Sequence, residues 1–168
     1  TNNERTGIRV VIGQGVPNPA IVIVSGDSIA TNGDLSGGTA YDDDAGILID
    51  LQGAGIPAID ISCNVISING VPGIQLAHTA YPDIHYNSIW GNERGKIGNR
   101  FNIRLADEFG GGGPTVDARN NWWGGPYADP ADSVTIKQTI RDADDGDFTM
   151  VRVLIDPWLN AWPDDNCK

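Results

Sequence analysis

The sequence predicts an all-β fold, a parallel β-solenoid, on three observations: a β-branched composition, a surplus of turn formers and an internal repeat. Among 168 residues there are 20 Ile and 11 Val against 7 Leu, with 22 Gly, 10 Pro and 14 Asn. Helical proteins lean on Leu, Glu, Lys and Ala, so this balance argues against a bundle or coiled coil. Ile and Val set among Gly, Asn and Asp read as short strands joined by tight turns. A hydrophobic content of 40% excludes general disorder, and the length suits one domain spanning 1–168.

The repeat supplies the architecture. Ile61-Ser-Cys-Asn64-Val-Ile66-Ser-Ile-Asn69 recurs 23 residues later as Ile84-His-Tyr-Asn87-Ser-Ile89-Trp-Gly-Asn92. Upstream, Val24-Ser-Gly-Asp27-Ser-Ile29-Ala-Thr-Asn32 fits with Asp for the first Asn. Downstream, Ala118-Arg-Asn-Asn121-Trp-Trp123 fits with Trp for Ile. A second element precedes each: Gly7-Ile-Arg-Val, Gly46-Ile-Leu-Ile, Gly73-Ile-Gln-Leu and Asn102-Ile-Arg-Leu. Four such units cover residues 7–125, and two carry insertions, 34–45 and 107–114. Pitches near 20–25 residues, short strands and corner asparagines predict stacked parallel coils. Inward positions then bury Ile on Ile, where β-branched side chains suit a pleated surface. Corner amides bond both the local backbone and the next coil, and Asn is expected to take the left-handed backbone of the bend. Asn64, Asn69, Asn87, Asn92 and Asn121 therefore read as structural.

Beyond residue 125 the pattern changes, and 126–168 reads as a helix and cap. Asp129-Pro130 opens a segment with Val134, Lys137 and Ile140 at helical spacing, predicting one short helix. A turn around Gly146 leads to a last strand, Met150–Leu159. Trp158, Leu159 and Trp162 are candidate plugs for the final coil, whose apolar edge needs a cover.

Charge and composition exclude several partners. Lys plus Arg total 11 against 22 acidic residues, a net charge of −11. Such a chain repels a phosphate backbone, so nucleic acid is not an expected partner. No run approaches the roughly 18 apolar residues of a membrane span. The opening TNNERTGIRV reads as neither a signal nor a transit peptide. Cys63 and Cys167 leave three readings open: one disulfide holding the C-terminal tail, a bond from Cys167 to a neighbouring chain, or two free thiols.

The run Asn120-Asn121-Trp122-Trp123-Gly124, the following Gly125-Pro126 and the closing Pro157-Trp158-Leu159 resemble the ending of right-handed parallel β-helix repeat proteins. These belong to the pectin-lyase-like superfamily. The resemblance covers most of the chain. It implies a right-handed parallel β-helix of four or more coils with a short C-terminal helix and capping strand, on a secreted or cell-surface protein. It does not choose a function, since that superfamily spans lyases, hydrolases, adhesins and structural repeats. One departure is that Gly7 begins a coil without a recognisable N-terminal cap. The expected partners are thus a second copy or adjacent coils of a longer chain, meeting the open first coil.

The resemblance also implies where lyase chemistry would sit: a strand-borne Arg or Lys with acidic residues on adjacent coils. The outward columns Arg9, Leu48, Gln75, Arg104 and Val11, Asp50, Ala77, Ala106 do not make that set. Asp60 and Asp83 precede aligned isoleucines and fall about 4.8 Å apart across neighbouring coils. His78 and His85 are expected in one coil near Asp83. A glycan-binding reading draws on Trp90, Trp122, Tyr127, His85 and Asp83, because aromatic faces suit sugar rings. Trp123 aligns with inward Ile66 and Ile89 and reads as core. Calcium is the one candidate cofactor, at Asp42, Asp43 and Asp44 or at Asp142, Asp144, Asp145 and Asp147. Clustered oxygen ligands suit a hard cation, although EF-hand spacing is absent. The favoured expectation is an extracellular structural or interaction solenoid, forming a filament or part of a larger surface protein. The alternative is a carbohydrate-active domain, as polysaccharide lyase, hydrolase or glycan binder.

Overall fold

The computed structural model describes residues 6–13, 21–33, 44–52, 58–78, 80–93, 101–106, 115–124, 132–142, 151–161, 163 and 167. The strands come in threes. They are β1 (Ile8–Ile12), β2 (Ile21–Ser25) and β3 (Ser28–Ala30), then β4 (Ile47–Leu51), β5 (Ala58–Ser62) and β6 (Val65–Ser67). A third circuit holds β7 (Ile74–His78), β8 (Asp83–His85) and β9 (Ser88–Trp90). After these come β10 (Ile103–Leu105), β11 (Val116–Asp117), helix α1 (Ser133–Lys137), β12 (Ile140–Arg141) and β13 (Val153–Leu154).

Each strand pairs with its equivalent one circuit away and always in parallel. The first sheet runs β1-β4-β7-β10-β12, the second β13-β11-β8-β5-β2, and the third β3-β6-β9. A single bridge from Ser88 to Trp122 extends the third sheet. Three parallel sheets visited in rotation are the arrangement a β-solenoid requires. The register agrees with the repeat alignment: Ile8, Ile47, Ile74, Ile103 and Ile140 form one column. Val24, Ile61 and Ile84 form another, and Ile29, Ile66 and Ile89 a third. Apart from Ile8, which packs partly buried against it, they belong to the core together with Trp123, which follows the Ser88 bridge partner.

Asparagine ladders hold two corners. At the first, the backbone N–H and the Nδ2 of Asn64 both donate to Asn87 Oδ1, at 2.9 and 3.0 Å. Asn87 repeats this toward Asn121 Oδ1, at 2.9 and 3.0 Å. The second ladder runs Asn32 to Asn69 to Asn92 and then to Asn102, which the repeat alignment puts at a strand start. One expectation is corrected here. The left-handed residue is the one before the asparagine, Thr31, Cys63, Ile68, Tyr86, Gly91 and Asn120, with Gly26 in the same place before Asp27. The asparagine itself stays out of that region because both its N–H and its amide must point along the ladder. The strand-starting glycines follow from the same packing. A Cβ on Gly46 would lie 2.6 Å from the Gly73 carbonyl and 2.9 Å from Asn69 Nδ2.

The C-terminal end departs from the helix expectation. Asp132 caps α1 by accepting from the Thr135 N–H at 2.8 Å. Asp129 and Pro130 lie outside the described residues. Ile136 is the buried helical residue, Val134 is exposed, and Ile140 belongs to β12. The helix is too short to present an i, i+3, i+6 face; Thr139 N–H closes onto the Ile136 carbonyl and the chain returns to strand. The described part of the last strand is only Val153–Leu154. Trp158 packs on the core as expected, while Trp162 lies outside the described residues. Cys63 and Cys167 form a disulfide across 104 residues, with Cα atoms 5.4 Å apart. Among the described residues, no helix is long and apolar enough to cross a membrane.

Candidate functional site

Outer faces carry the candidate chemistry, and the three sheets differ. On the first sheet the outward Leu48, Asp50, Gln75 and Ala77 are buried. Asp50 is held there by two bonds: Gln52 Nε2 donates to Oδ2 at 2.8 Å, and His78 Nδ1 meets Oδ1 at 2.8 Å.

The second sheet faces solvent. Asp60, Asp83 and Asp117 stand in direct register on β5, β8 and β11. One circuit separates each from the next, about 4.8 Å in a parallel sheet. Two residues on, and so on the same face, lie Ser62, His85 and Arg119. Ser62 Oγ donates to Asp60 Oδ1, and His85 Nε2 meets Asp60 Oδ2 at 3.1 Å. Arg119 forks onto Asp117, with Nε donating to Oδ1 at 2.9 Å and a terminal nitrogen donating to Oδ2. That bond holds the Asp117 carboxyl below its usual range, with Arg119 charge and nearby His85 adding to it. His85 also stacks on Tyr86, ring centroids 5.0 Å apart. At the N-terminal end the same face turns apolar: Ile21 and Ile23 are 69% and 67% exposed.

The sequence-predicted residues therefore separate. Asp83 and His85 share the second-sheet face. The histidines do not share a site: His78 pairs with Asp50 on the first sheet, and His85 with Asp60 on the second. Each reaches back one circuit, because parallel register sets that aspartate beside the end of its strand. Trp90 and Trp122 sit on the third sheet, away from Asp83. Trp122 faces outward as aligned, but it is only 5% exposed, so its ring does not offer a stacking surface. Trp90 is half-buried and Tyr127 lies outside the described residues.

The calcium candidates divide similarly. Asp42, Asp43, Asp144, Asp145 and Asp147 lie outside the described residues. Asp44 and Asp142 are buried, and Asp142 Oδ2 accepts the Val153 N–H at 2.8 Å, which ties the end of β12 to β13. Among the described residues no three His, Cys, Asp or Glu converge in a metal-binding arrangement.

Asp117 and Arg119 were not singled out from the sequence, though the signal was there. Asp60, Asp83 and Asp117 each stand four residues before a ladder asparagine, Asn64, Asn87 and Asn121. Compared with protein-family models, curated proteins and solved structures, the chain matches none of them. The class that fold and site define is thus an all-β protein of parallel sheets, compatible with a β-solenoid. It carries an outward-facing aspartate ladder, exposed at Asp83 and half-buried at Asp60 and Asp117, with histidine and arginine beside it.

Proposed function

We propose that this chain is a right-handed parallel β-helix of the pectin-lyase-like kind, working outside the cell as a structural and interaction module. It docks its first circuit against further β structure, in a filament or a larger surface protein. The observation that carries this reading is the condition of the first circuit. Ile8, Val10, Ile12 and Val22 are only partly buried, whereas their partners Ile47, Ile49, Leu51 and Ile59 are 0–4% exposed. Apolar positions left half-covered at two sheet edges, β1 and β2, favour a neighbour. The Cys63–Cys167 disulfide supports an oxidising, extracellular setting.

A second reading rests on the second-sheet face. Carboxylates one circuit apart approach the roughly 5–5.5 Å of a retaining glycosidase pair. Asp60 and Asp117, however, already bond Ser62, His85 and Arg119, which suits a face that binds sugar hydroxyls better than one that cleaves. Incubation with polygalacturonate, alginate and related polymers, with and without calcium, tests both readings. The structural reading expects no chain cleavage. Products that form with the native chain and disappear with Asp83→Asn would replace it with the enzymatic one.

A further inference from the structure

We infer that the N-terminal rim receives one further parallel β-coil bearing an asparagine in register with Asn32, and not the C-terminal end of a second copy. The inference rests on the solenoid reading above and names the partner that reading leaves open.

The second ladder runs in one direction. Asn69 Oδ1 accepts from Asn32 N and Nδ2, at 2.9 and 3.0 Å. Asn92 Oδ1 accepts from Asn69 at 3.2 and 2.8 Å, and Asn102 Oδ1 from Asn92 at 3.5 and 2.9 Å. Every acceptor is thus filled by the circuit before it. Asn32 heads the series; it is fully buried, and among the described residues its Oδ1 has no donor. A buried acceptor of this kind is costly to leave unmatched, and the group that matches it belongs to a preceding circuit.

The far end does not supply that group. There Asn102 Nδ2 donates to Thr139 Oγ1 at 3.2 Å, and the Thr139 hydroxyl donates to the Ile136 carbonyl at 2.7 Å. The ladder ends on a hydroxyl whose proton is already used, so a copy stacked head to tail brings that hydroxyl, and not a ladder carboxamide, into line with Asn32. A coil with its own corner asparagine brings two.

The rest of the rim has matching chemistry. Ile8 N–H and the Ile12 carbonyl bond toward the second circuit, at 2.9 Å each. Alternation along the strand then aims the N–H groups of Arg9 and Val11 at the outer edge. At the other corner Asp27 stands where later circuits have Asn64, Asn87 and Asn121, an exposed acceptor-only carboxylate. Half-buried aliphatic residues lie between. The complement is a coil of the Gly-Ile-x-aliphatic type with an amide at its corner.

An extended form of the full chain tests this. Residues 73–92 are duplicated directly upstream of Thr1, which leaves six residues between the added asparagine and Gly7. That linker falls between the three that join Asn69 to Gly73 and the 13 that join Asn32 to Gly46. The comparison is the same extension with its last asparagine, the copy of Asn92, changed to alanine; the copy of Asn87 is kept in both. The asparagine form is expected to slow amide exchange at Arg9 and Val11 about tenfold or more and to raise the thermal midpoint by about 5 °C. The alanine form is expected to lose most of both. Equal exchange in the two forms overturns the inference while leaving the structural reading intact; polysaccharide cleavage would do the reverse. Light scattering of the native chain at rising concentration is expected to show no polymer. Polymers whose growth the extension blocks would make the second copy the occupant.

Discussion

At the residue scale, the asparagines do the work of a second backbone. Asn87 Nδ2 donates to the Ile61 carbonyl at 2.7 Å, to the His85 carbonyl at 3.0 Å and to Asn121 Oδ1, while its Oδ1 takes both donors of Asn64. All but the His85 bond is buried, so truncation strands several polar groups away from water. Asn87→Ala should cost about 3 kcal/mol, at the upper end for a buried group left unmatched. Urea unfolding measures it, and a loss below about 1 kcal/mol would mean water substitutes for the ladder. The left-handed residues one step earlier include Thr31 and Ile68, β-branched side chains that resist that conformation. The ladder bonds hold them there, which is why the bend does not require glycine at every circuit.

At the element scale, one strand face decides what solvent meets. The second sheet shows Asp60, Asp83, Asp117, His85 and Arg119 outward because parallel register repeats whatever each strand places at that position. Opposite charges within that face reduce its self-repulsion. Since Arg119 lowers the Asp117 carboxyl below 3.8, this pair contributes stability above that pH and loses it as pH falls through the folded-state value. Both groups are substantially exposed, so the contribution is small. The stability difference between the native chain and Arg119→Gln should be constant from about pH 5 to 7 and shrink on acidification below 3.8. A difference that grows in acid would show that Arg119 acts through something other than Asp117. The aspartate column was legible in the repeat, each member four residues before a ladder asparagine. The pairing of His78 with Asp50 was not, because it crosses circuits separated by 28 residues and depends on how the strand ends are placed.

At the scale of the whole molecule, stability rests on stacked circuits and on what covers their C-terminal end. The C-terminal side is covered by α1, β12 and Trp158, and the Cys63–Cys167 bond ties the tail to a ladder corner. That link closes a loop of about 100 residues in the unfolded chain, so the Cys63→Ser/Cys167→Ser form should lose about 2–4 kcal/mol. Guanidinium unfolding of this variant and of the reduced native chain should give the same midpoint. Unchanged stability would mean the tail is held by packing alone. The net charge of −11 lies partly on the second-sheet face and partly in segments outside the described residues.

The sequence by itself determined the parallel stack, the inward isoleucine columns and the corner asparagines. A repeat states its own register, and aligned residues in a parallel sheet must lie on top of one another. Only the tertiary structure decided which outward residues meet solvent. Trp122 and Asp50 share the outward parity of Asp83, yet both are buried while Asp83 is exposed. Period-two alternation separates inside from outside, but what lies over an outer face depends on chain distant in sequence. The same holds for the disulfide and for the unmatched acceptor of Asn32, which only the assembled ladder makes visible.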